Sequence, residues 1–150
     1  MSHTETGWDG AAHVRRLRED GARLLVLQGD DIVYRSEDRG IRPLLEALES
    51  VAPAVLRGAT FVDRVIGRAA AFLMVHAGAG AVAAIVVSDT AMDVLRRFGI
   101  PVFREESTSR ISGREPGKPC PFEKSVAEVE DPGVAHETLR RLAMEMGLLS

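Results

Sequence analysis

The chain has 150 residues, 45% of them hydrophobic and 27% charged, and carries a net charge of −3. This length and balance suit one globular domain with a sizeable core. The charge gives no electrostatic ground for nucleic acid or an anionic membrane as partner, and a single cysteine excludes an internal disulfide.

Residues 1–9 read as a polar, flexible tail with Trp8 packing at its end, and 10–150 as a single domain. No basic stretch followed by an apolar one opens the chain, so no secretory leader is expected. The longest apolar runs, 69–75 and 81–87, are too short to span a bilayer, and a cytoplasmic location is the default. Helical spacing over 11–20, with Ala12, Val14 and Leu17 apolar, stops at Gly21. Residues 23–28 read as a buried strand, and Gly29, Asp30 and Asp31 turn the chain into a second strand over 32–35. A short helix opens over 40–48, with Pro43 tolerated in its first turn. Pro53 and Gly58 bracket a loop. Residues 61–77 carry the strongest helical pattern, with Val65, Ala69, Phe72, Leu73 and His76 on one face, and Asp63 can cap the helix if it begins near Arg64. This helix is expected at the centre of the fold, with His76 as a core histidine.

Residues 81–87 form a continuous apolar strand of the kind buried on both sides of a sheet. Ser88 or Asp89 caps a helix over 90–98, Gly99 closes it, and a short strand follows over 101–105. Residues 107–118 lack periodicity and read as a flexible loop. Beyond it, Cys120 precedes Pro121 at a predicted helix start, with Glu123 placed to reach back as in a capping box. A thiol there faces unpaired N–H groups and the positive end of the helix dipole, which favour thiolate, while Glu123 opposes it. Cys120 therefore reads either as a packed thiol or as a ligand-contacting or nucleophilic one. A final helix spans 132 to about 146 after Asp131. The glycines at 78 and 80 fit a dinucleotide fingerprint but follow a helix rather than a strand, so they end that helix. The four histidines have no metal-ligand spacing.

Three stretches carry a family resemblance: Arg39 to Leu45, Val62 to Ala71, and Cys120 to Lys124. In this order they resemble domain-of-unknown-function family 1893, small prokaryotic proteins placed in the cytidine-deaminase-like superfamily. The likeness runs from about Leu24 to Leu142 and implies an α/β fold, a three-layer α-β-α sandwich with a mixed sheet. Zinc deaminases hold metal with a His or Cys and two further cysteines, beside a catalytic Glu. Here Gly67, Arg68 and Ala69 occupy the first motif, and Glu123 stands where the second cysteine belongs, so zinc-dependent deamination is not expected and no cofactor is implied. The sequence then points to a small-molecule ligand, nucleobase-like or anionic, held among Cys120, Glu123, Asp63, Gly67, Arg68 and Ser88. Glu123 also reads as a plain cap, Arg68 as a surface ion pair, and Ser88 as a plain helix cap. A cysteine-dependent enzyme or sulfur carrier using Cys120, with Glu123 beside it, is the first alternative. A homo-oligomeric interaction module is the second.

Overall fold

The computed structural model describes residues 8–109, 111 and 120–149. Helix α1 (Gly10–Asp20) starts where the Asp9 carboxylate accepts the Ala12 N–H, and it ends at Gly21, whose φ of +81° only glycine adopts readily. Strands β1 (Leu24–Gln28) and β2 (Asp31–Ser36) form the expected antiparallel hairpin. Helix α2 (Arg42–Ser50) follows with Pro43 in its first turn. The bracketed loop at 53–58 instead contains a one-turn helix, α3 (Pro53–Leu56), with Pro53 at its start.

The long helix expected over 61–77 is two elements. Its first part is strand β3 (Thr60–Ile66), and helix α4 (Arg68–Ala77) begins only after Gly67. The physical reason is a double burial. Phe61 and Val62 point to opposite sides of the sheet and both are buried, so the apolar residues have no two-residue alternation to betray a strand. Strand β3 lies between β1, its antiparallel neighbour, and β4 (Ala81–Ser88), its parallel one. Asp63 therefore lies within a strand and caps no helix. Helix α5 (Asp89–Arg97) leads to β5 (Val102–Thr108), which pairs parallel with β4 and runs three residues further than the spacing predicts. Most of the loop expected at 107–118 lies outside the described residues.

The result is a mixed five-stranded sheet in the order β2-β1-β3-β4-β5, an α/β fold. Helix α1 covers one face, where Val14 and Leu17 pack on Leu25, Leu27, Val62 and Ala83. The larger core lies on the other face. There α4 is buried along nearly its whole length, from Ala69 to Met74, against α2, α5 and helix α7 (Pro132–Glu145). Alanines at 69, 70 and 71 let these helices approach closely. His76 is an exposed residue of this helix, stacked 4.5 Å from the His136 ring, and not the core histidine its neighbours suggest. No helix among the described residues is long and apolar enough to cross a membrane.

Candidate functional site

Parallel strands β3 and β4 end side by side, Ile66 opposite Val87, so the first turns of α4 and α5 start next to one another at the carboxyl end of the sheet. Open α/β sheets commonly bind ligands at this edge. Ser88 is fully buried there. Its hydroxyl accepts the Ala91 N–H at 3.1 Å and lies 3.2 Å from the Thr90 hydroxyl, completing the cap of α5.

Helix α4 has no cap of its own, because Gly67 carries no side chain. The cap arrives from 55 residues away. Glu123, in the short helix α6 (Pro121–Ser125), accepts the Arg68 N–H on Oε1 at 2.9 Å and the Ala69 N–H on Oε2 at 2.7 Å. The reach-back bond to residue 120 is thus replaced by a bond across the fold, where a carboxylate meets two donors and the positive helix end at once. Gly67 makes room for it. A Cβ there would lie 2.5 Å from Glu123 Oε1 and 2.8 Å from Ile111 Cγ1, closer than packed atoms tolerate.

Arg68 is not a surface ion pair. Its side chain is 14% exposed, and its Nε donates to the Val126 carbonyl at 2.9 Å. Its Nη2 donates to the Val129 carbonyl at 2.6 Å and to Glu130 at 3.2 Å, with the guanidinium 4.9 Å from the Phe72 ring centre. Arg97 also pairs with Glu130, and that hydrogen bond foremost holds the Glu130 carboxyl below its ordinary range. Cys120 takes the N-cap position of α6 and is half-buried, with no capping hydrogen bond from its sulfur.

Gly67, Arg68 and Glu123 therefore meet directly. Cys120 joins them through α6, and Ser88 lies one strand away. Asp63 stands apart. It lines a cavity of about 60 Å³ whose walls include Arg23, Asp38, Arg39, Pro43 and Arg64 and none of the other five candidates. Burial pushes its carboxyl up to about 7, although the Arg64 and Val65 N–H groups and the charges of Arg23 and Arg64 pull it down. Sequence spacing could not find Arg23 and Arg39 as its neighbours, because the cavity is assembled from three separate segments. Ile111, which covers Gly67, gave no signal either. Among the described residues no three of His, Cys, Asp and Glu gather as a metal site.

A mixed sheet with paired helix starts and an internally supplied carboxylate defines an α/β domain with a candidate site at its carboxyl edge. The chain belongs to the family described as a domain of unknown function, DUF1893, whose model matches residues 13–142. The crystal structure of a DUF1893 family protein (TM1506) from Thermotoga maritima is similar over 90% of this chain and 88% of that one. The two share 24% identity with a TM-score of 0.77, a likeness of fold. Comparison with curated proteins finds no match.

Proposed function

We propose that this protein binds a small molecule at the edge where α4 and α5 begin, among Cys120, Glu123, Gly67, Arg68 and Ser88, in a deaminase-like fold without zinc chemistry. The observation that carries the reading is the Glu123 carboxylate seated on the Arg68 and Ala69 N–H groups. A carboxylate offers about four acceptor positions, and these two bonds leave about two. The remaining positions suit a ligand that presents N–H donors, such as the amide or amidine edge of a nucleobase-like molecule. An anion is disfavoured, because Glu123 already holds the helix end and Arg68 directs its Nε and Nη2 donors to Val126, Val129 and Glu130. Zinc does not fit this residue set. Cys120 is the one strong donor, Glu123 is engaged, and a catalytic zinc takes three protein ligands.

The test is a thermal-shift screen of free nucleobases and small cyclic amides, repeated on Glu123→Gln and Cys120→Ser. A compound that binds only the native state raises the melting temperature. The reading expects such a compound, with the shift lost in Glu123→Gln, whose amide presents a donor where an acceptor is needed. Absence of any shift, or a shift indifferent to both variants, would remove it. The half-buried, uncapped sulfur of Cys120 keeps a covalent role as second reading. That reading expects alkylation of the native protein at neutral pH faster than that of free cysteine, whereas reaction only on unfolding would make Cys120 a packing residue.

A further inference from the structure

The Asp63 cavity is independent of the site above and has its own chemistry. Strand β1 begins at Leu24, opposite Asp63, whereas β3 continues to Ile66, so the last residues of β3 have no β1 partner. The cavity occupies this gap, bordered by residues 38–40 and by Pro43 of α2. The Asp63 carboxylate accepts the Arg64 N–H at 2.8 Å and faces the Val65 N–H, which leaves about half or more of its acceptor positions open. Arg64 donates from Nε to the Ala22 carbonyl at 3.1 Å, which anchors its guanidinium at the cavity wall. Among the described residues the side chains of Arg23 and Arg39 form no hydrogen bond or ion pair, and neither does the Asp38 carboxylate.

The walls thus hold an inner carboxylate with acceptor capacity to spare and the guanidinium groups of Arg23 and Arg39, with Arg64 and a second carboxylate beside them. A simple anion would meet Asp63 and Asp38, and a simple cation would meet Arg23 and Arg39. A ligand with both charges close together satisfies both sets. The space of about 60 Å³ equals roughly two waters and admits one small head group, not a whole ring system. We propose that this cavity binds the head group of a free α-amino acid, with its ammonium on Asp63, its carboxylate on Arg39 and Arg23, and its side chain directed to solvent.

The test is an NMR titration of the full chain with each proteinogenic amino acid, with ethylamine and acetate as single-charge controls, at pH 6 and pH 8. Binding should move the Arg64 and Val65 amide signals saturably for an amino acid and for neither control. Because the ammonium needs Asp63 ionised, and its carboxyl titrates near 7, affinity should rise about tenfold from pH 6 to pH 8. Asp63→Asn should abolish that rise. Arg39→Ala changes an exposed residue and should fold normally, while weakening binding about tenfold or more. The proposal is overturned if no amino acid moves those signals, if acetate alone does so equally, or if Arg39→Ala binds like the parent. Should Asp63→Asn not fold, the two pH values and Arg39→Ala decide the matter alone. None of these outcomes touches Glu123 or Cys120, so failure here is distinct from failure of the proposed function.

Discussion

At the scale of single residues, Asp63 and Gly67 show how position overrides type. The folded state holds the Asp63 proton up to about pH 7, whereas the unfolded chain releases it near the ordinary value of 3.8. The folded protein therefore binds more protons than the unfolded one between these values, so the Asp63 contribution to stability falls as pH rises from about 4 to 7. Asp63→Asn should flatten this slope, matching the parent near pH 4 and exceeding it at pH 8 by up to about 4 kcal/mol in urea unfolding. A parent curve that is flat across the interval would refute the assignment. Gly67→Ala should cost about 1–3 kcal/mol, because its Cβ meets Glu123 and Ile111. Combined with Glu123→Ala, which removes one of the two obstructions, the costs should add to less than their sum. The sequence singles out both residues, since a glycine before an alanine-rich run and an aspartate among apolar neighbours stand out locally. It gives Asp63 the wrong task, because a helix cap and a mid-strand carboxyl look alike without the partner strand.

At the scale of elements, α4 depends on residues distant in sequence for both its beginning and its anchorage. Arg68→Ala should strip the donors from the Val126 and Val129 carbonyls and loosen residues 120–131. Hydrogen exchange should then rise in that segment, with global stability lower by about 2–4 kcal/mol; unchanged exchange there would show that α6 is held by other contacts. Ser88→Ala should cost about 1 kcal/mol by removing the cap of α5, measurable as a lower melting temperature. The caps at Ser88 and Asp131 are legible in sequence because donor and acceptor lie three residues apart, whereas Asp9, at the same spacing, is passed over as part of the tail. The Glu123 cap is not, since nothing within either helix announces a partner 55 residues away. The same blindness hid β3, whose strand character comes from β1 and β4 on its two sides rather than from its own periodicity.

At the scale of the whole molecule, the sheet has a protected centre and two open edges. Backbone amides of β3 and β4 should exchange most slowly, and those of β2 and β5 faster, since among the described residues each edge strand pairs on one side alone. The α/β character was legible, because the apolar run of β4 and the caps around it alternate in the manner of a covered parallel sheet. The mixed order was legible only in part, with one strand concealed. The tie between Glu123 and α4 also sets a schedule for the nascent chain. All five strands and α4 are synthesised before Glu123, yet the first turn of α4 keeps two bare N–H groups until that carboxylate leaves the ribosome. A chain stopped short of α6 would carry a complete sheet with an unfinished central helix, and its fate would depend on how soon the last fifth of the protein arrives.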